Sequence, residues 1–132
     1  MAEEVGQEVL AQVDLLIRQG SDCAFTLLYS EEDEAGTIVQ DFTGWSARSQ
    51  VRKKVGGDVW RTLTVGDGLT LTHDAGVLSV AGLIPHEVTE DEVWNTRRLG
   101  VWDVELVRAD GLVIPLAAGA VKVDPDVTRE VL

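Results

Sequence analysis

Cysteine is almost missing from this chain. Cys23 stands alone, so no internal disulfide can form, and with only His73 and His86 beside it a Cys/His zinc site cannot be completed from those residue types. No apolar run approaches the roughly 18 residues a membrane helix needs. The opening stretch MAEEVGQEVL is acidic where a secretory signal would be basic and then apolar. These absences predict a soluble protein made in a cytoplasm. Bases are scarce as well: 11 Lys and Arg face 23 Asp and Glu, a net charge of −12. Such a field repels polyanions, and the expectation is no nucleic-acid and no membrane partner.

What is present is a folded core. Hydrophobic residues make up 45% and charged residues 26% of 132 positions, which excludes general disorder, collagen and coiled coil and fits one domain. The charge is uneven. Residues 1–44 hold Arg18 against ten acids, residues 66–96 hold six acids and no Lys or Arg, and only residues 45–65 are net basic, through Arg48, Arg52, Lys53, Lys54 and Arg61. That cluster is where an anionic partner would dock; the competing reading is a solvated face paired with the chain's own acids.

From Val13 onward the period is two, broken by turn residues every eight to twelve positions, which predicts an all-β, antiparallel sandwich or barrel of seven to nine strands. Strands are expected at residues 14–18, 23–29, 45–52, 59–65, 69–72, 77–81, 101–107, 112–116 and 120–123, with residues 30–36 as a polar connection. Alternation turns Phe25, Leu27, Trp45, Val51, Trp102, Val104, Leu106 and Val121 into one core. One short helix is predicted from Thr89 to about Leu99, because Thr89 and Glu92 have the spacing of a capping box and Val88 and Val93 that of a hydrophobic staple. A second is predicted over residues 3–12, where Val5, Val9, Leu10 and Val13 share a helical stripe behind Glu3, Glu4 and Glu8.

Sites for chemistry are sparse. Cys23 falls on the apolar side of its strand, as a structural thiol does, and His73 and His86 lie beside turns with nothing tying either to a nucleophile. The stretch Gly66-Asp67-Gly68 lies between strands and lacks the third glycine of a dinucleotide loop. Residues 31–34 are acidic without the ligand spacing of a calcium loop. Acids among residues 87–92 lack a partner placed to tune a hydrolase. No enzyme activity, metal or cofactor is expected. Trp60 and Trp94, beside the basic strand and on the short helix, are the tryptophans placed for an interface.

Several stretches together resemble a family of small tailed-bacteriophage structural proteins. They are Leu16-Ile17-Arg18-Gln19-Gly20, Asp41-Phe42-Thr43-Gly44-Trp45-Ser46-Ala47-Arg48-Ser49-Gln50-Val51-Arg52, Gly100-Val101-Trp102-Asp103-Val104-Glu105-Leu106, Asp110-Gly111, and Val121-Lys122-Val123-Asp124-Pro125-Asp126-Val127-Thr128-Arg129. The family pattern runs I-x-Q-G, D-L-T-G-Y-x-A-R-x-Q-I-R, A-G-x-Y-x-Y-D-L-E, D-G, V-x-P-E-V-T-R, and a related layout occurs in the N-terminal domain of upper baseplate proteins of lactococcal phages. The likeness covers about residues 14–129. Trp45 and Trp102 stand where the family has tyrosine, and residues 1–12 fall outside the pattern.

The resemblance implies an immunoglobulin-like β-sandwich that serves as a non-catalytic building block of the virion, in tail, baseplate or fibre attachment. Its partners would be other virion proteins in a symmetric homo- or hetero-oligomeric array, assembled in the bacterial host cytoplasm. The alternatives are capsid decoration and a surface-displayed host-binding module using residues 31–36, residues 66–68 or Trp60. Organised this way, residues 1–12 and 124–132 are arms around a sandwich of residues 13–123. The expected interface residues are Val5, Val9, Leu10, Arg48, Arg52, Lys53, Lys54, Trp60, Val127 and Arg129.

Overall fold

A computed structural model describes residues 11–33, 35–38 and 41–125. Over these residues the chain is nearly all β. The strands are β1 (Ala11–Gln12), β2 (Leu15–Arg18), β3 (Cys23–Tyr29), β4 (Glu31–Asp33), β5 (Gly36–Ile38), β6 (Ser46–Arg52), β7 (Val59–Val65), β8 (Gly68–Asp74), β9 (Val77–Ile84), β10 (Leu99–Val107) and β11 (Val113–Asp124). A single helical passage joins β9 to β10: α1 (His86–Glu90), then a 3-10 turn at Glu92–Thr96.

Nine strands form one mixed sheet in the order β1, β11, β10, β6, β7, β8, β9, β3, with β2 also on β11; β4 and β5 make a separate hairpin. β1 and β2 lie parallel to β11, Ala11 opposite Ala117 and Leu15 opposite Val121. β7 and β8 meet only at Thr64↔Gly68 and Val65↔Leu69, a parallel corner where the chain passes from one half of the sheet to the other. The sheet curls there, so that the Phe25 ring of β3 meets the Trp102 ring of β10 edge to face at 5.0 Å, although five strand pairings separate them along the sheet.

The core fills the space inside this curl. Val51, Trp102, Val104, Leu106 and Val121 are buried as alternation predicts, and Phe25, Leu27 and Trp45 pack against them half-buried. Gly82 supplies the room Phe25 needs: a Cβ there would lie 2.1 Å from the ring, so the aromatic occupies the space a side chain on β9 would take. Pro115 is tolerated inside β11 because it faces Glu105, where the register with β10 shifts and a ladder donor is dispensable.

Five sequence expectations need correction. The sheet expected to be antiparallel is mixed, because the N-terminal strands β1 and β2 run alongside β11 and the corner from β7 to β8 is parallel. The strands expected at residues 112–116 and 120–123 are one strand, Val113–Asp124, because β10 carries the ladder through Gly119 while β1 and β2 pair before and after it on the other side. Residues 31–36 are not an open connection, since β4 and β5 pair at Glu31↔Ile38, Glu32↔Thr37 and Asp33↔Gly36. Thr89 is not a helix cap. Pro85 precedes α1, Asp22 accepts the His86 amide at 2.7 Å, and Thr89 is fully buried inside the helix; the helix starts three residues early because the cap comes from the β2–β3 turn, invisible to local spacing. Ala11 and Gln12 are extended rather than helical, since their backbone pairs with β11; the rest of the helix expected at residues 3–12 lies outside the described residues, as do Val5, Val9, Leu10, Val127 and Arg129.

Candidate functional site

The basic strand predicted as a docking face is β6, whose outward side chains Ser46, Arg48, Gln50 and Arg52 alternate with inward Ala47, Ser49 and Val51. Register sets Arg48 directly opposite Glu105 of β10 and Gln50 opposite Asp103. The result is a self-compensated lattice. Arg48 Nε donates to Glu105 Oε1 at 2.8 Å. Arg52 donates to Gln50 Oε1 through Nε at 3.0 Å and Nη2 at 2.7 Å, and to the Gly57 carbonyl at 2.8 Å. Burial pushes the Asp103 carboxyl above its ordinary range, and the neighbouring Glu105 charge adds to this, against the amide of Gln50 and the two arginines.

Beside this lattice runs an open groove of about 520 Å³, floored by β10 and β11 and walled by Gln50, Arg52, Val55 and Gly56. It brings Arg52 and Asp103 together. Lys53 and Lys54 are exposed on the turn that leads to β7, held by the Lys53 amide on the Asp58 carbonyl and the Gly57 amide on Lys54. Arg61 belongs to the other side of its strand: it pairs with Val51 in register, and its guanidinium reaches Asp67 at 3.8 Å. The cluster read from the sequence is therefore split between an outer lattice, an exposed turn and an inward arginine.

Trp60 and Trp94 stack edge to face at 6.0 Å, and the Arg97 guanidinium lies 4.6 Å from the Trp94 ring and 5.4 Å from the Trp60 ring. Trp94 is buried, so of the two only half-buried Trp60 offers surface. This cation–π stack pins the 3-10 turn against β7. Sequence reading missed it because Trp60 and Arg97 are far apart in the chain.

Cys23 is buried, its thiol donates to the Leu16 carbonyl at 3.6 Å, and burial raises its pKa, so thiolate formation is opposed. His86 is half-exposed between Asp22, 2.8 Å from Nδ1, and Glu87, 2.9 Å from Nε2. The Asp22 hydrogen bond raises its pKa, and the His86 amide lowers that of Asp22. His73 is exposed, 5.9 Å from the Phe42 ring. Tyr29, Phe42 and Trp45 form a second aromatic group, in which the Tyr29 hydroxyl donates to Glu31 at 2.8 Å. Among the described residues no three His, Cys, Asp or Glu side chains gather as a metal site, and no helix is long and apolar enough to cross a membrane.

No family model matches this sequence, and no curated protein matches it. Among solved structures the chain is similar to the M1 domain from titin, at 12% identity and a TM-score of 0.34 over 90% of this chain and 94% of that one. It is also similar to the N-terminal domain of the Streptococcus gordonii adhesin Sgo0707, at 14% identity and a TM-score of 0.36 over 83% of this chain and 30% of that one. Both likenesses are remote, and the fold stands on the strand pairing described above.

Proposed function

We propose that this chain is a non-catalytic structural component of a tailed-phage virion, in tail, baseplate or fibre attachment, and that its curled sheet is an immunoglobulin-like β-sandwich acting through protein–protein assembly. The observation that carries the reading is where the phage-like stretches fall. They are scattered over the sequence, yet residues 16–20, 121–124, 100–106 and 46–52 lie on or beside β2, β11, β10 and β6, four strands paired in that order. Their adjacency in the sheet supports reading these stretches as one structural unit. The Phe25–Trp102 contact between the two halves of the sheet supports the sandwich.

On this reading the termini are arms that grip neighbouring virion proteins. Ala11 and Gln12 belong to the sheet, which limits the N-terminal arm to residues 1–10. Mass spectrometry of purified particles, and of heads and tails separated from them, tests the proposal. The chain is expected in the tail fraction at a fixed ratio to the major tail protein. Presence in heads alone would move it to capsid decoration, and absence from purified particles would overturn the reading.

A further inference from the structure

An edge strand offers a row of unpaired amides and carbonyls, and soluble proteins guard such edges with charge, proline, a bulge or brevity. β3 has none of these guards. It is seven residues long, contains no Asp, Glu, Lys, Arg or Pro, and pairs among the described residues with β9 alone. Its register runs unbroken from Cys23↔Ile84 to Tyr29↔Leu78. At the other end of the sheet, by contrast, β11 is covered by β1 and β2.

We infer that β3 is a self-association edge, at which two copies of this chain join their β3 strands antiparallel about a two-fold axis at Thr26. Three observations carry it. Phe25 and Leu27 point into the core yet stay half-buried, while Cys23 and Tyr29 at the strand ends are buried, so the core is open along this edge. The outward residues of β3 and its neighbour are uncharged, with Leu28 67% and Leu83 43% exposed. Two chains of net charge −12 repel, and a neutral face is where they approach at least cost.

The third observation is parity. Inward and outward residues must match across a new antiparallel pair, because a one-residue slip exchanges the faces. Centring the axis on Thr26 keeps that match and overlaps the whole strand. Thr26 then faces its own copy, Leu28 faces Ala24, Phe25 faces Leu27 and Tyr29 faces Cys23, and no pair sets like charges opposite each other. A chain of net charge −12 can set this uncharged strand against its own copy without opposing like charges, and that assigns a second copy as the occupant. The inference is independent of where the protein acts.

Sedimentation velocity of the full chain, from about 1 to 200 μM, is expected to show a reversible dimer. Thr26→Lys sets two ammonium groups directly opposite, and should raise Kd about tenfold or more while leaving the melting temperature near that of the parent, since Thr26 is exposed. Thr26→Cys should cross-link on mild oxidation, because directly opposed Cβ atoms lie about 4.5–5.5 Å apart. Thr72→Cys, outward on β8, should not. A monomer over the whole range overturns the inference, as does a dimer indifferent to Thr26→Lys or one cross-linked equally through Thr72→Cys. A dimer that forms only after removal of residues 1–10 assigns the edge to the chain's own segment and overturns it too.

Discussion

Replacing Trp102 probes both the core and the docking of the N-terminal strands. Its ring is buried among both halves of the sheet, and Nε1 donates to the Val13 carbonyl at 2.7 Å. Val13 lies in the link between β1 and β2, which is fastened twice more: its amide donates to the Ala118 carbonyl at 2.9 Å, and Asp14 accepts the Ala120 amide at 3.0 Å. The link runs so close to β11 that a Cβ on Gly119 would lie 2.0 Å from the Val13 oxygen. Trp102→Phe keeps an aromatic core but leaves a small void, costing about 1 kcal/mol, and strips the Val13 carbonyl of a partner, costing about 1 kcal/mol more. The sum of about 2 kcal/mol lowers the melting temperature of a chain this size by about 7 °C. Trp102→Ala should cost about 3–5 kcal/mol for the lost ring alone. Paired with Phe25→Leu, Trp102→Ala should show a coupling of about 1 kcal/mol for the edge-to-face contact. Calorimetry of the parent and the four variants measures all of this. A Trp102→Phe protein within about 0.5 kcal/mol of the parent would refute the bond to Val13, and full additivity would refute the contact between the two halves.

Thr89 is fully buried, accepts the Gly20 amide at 2.9 Å and donates to the His86 carbonyl at 3.4 Å. Thr89→Val keeps its shape and orphans that amide, so denaturant unfolding should show a loss of about 1–3 kcal/mol, whereas a loss below about 0.3 kcal/mol would leave Thr89 without a part in holding the turn after β2. Tyr29 is the only tyrosine, and burial, reinforced by its bond to Glu31, pushes it up to about 12; phenolate absorbance of the folded chain should therefore titrate about two units above that of the unfolded chain, and a midpoint near 10 would deny the burial. The His86–Asp22 pair gives a pH dependence of definite sign. His86 is raised above 6.5, so its contribution is complete below that pH and lost as pH rises through the raised value, while Asp22, lowered from 3.8, contributes above that pH and loses its contribution only on acidification through the lowered value. Between pH 5.5 and 8.5 the melting temperature of the parent should fall more than that of Asp22→Asn; parallel curves would disprove the pairing.

Strand content was legible in the sequence because inward and outward residues alternate cleanly. Cys23 to Tyr29, Ala47 to Val51 and Trp102 to Leu106 keep their faces in the structure. What failed depended on distant partners. The helix begins at His86 because Asp22, 64 positions earlier, caps it, and a capping box read from Thr89 and Glu92 had no way to register that competitor. Gly119 reads as a turn residue in isolation, yet it is the point where another backbone passes. The basic cluster was visible as composition but not as geometry. Only the register of β6 with β10 reveals that Arg48 is answered by Glu105, while Arg61 faces the other way.

The two halves of the curled sheet thus present opposite kinds of surface, and ionic strength separates them. On the outer face of β6 and β10 Arg48 faces Glu105 in direct register, and Arg52 lines one groove with Asp103, which faces Gln50, so charges of both signs meet there. A partner bound there must exchange existing ion pairs for new ones, and the exposed Lys53 and Lys54 provide the remaining attraction. Such contacts are screened within about 10 Å at 0.1 M salt and weaken as salt rises. On the outer face of β3 and β9 the facing residues are Ala24 and Leu83, Thr26 and Ala81, Leu28 and Ser79. Apolar and backbone contacts along that edge carry no ion pairs to screen, while salt relieves the repulsion between two chains of net charge −12. Association through β3 should therefore tighten as salt rises from low concentration, whereas docking on β6 should loosen. Light scattering across a salt series distinguishes the two, and self-association that weakens with salt would place the contact on the charged face instead.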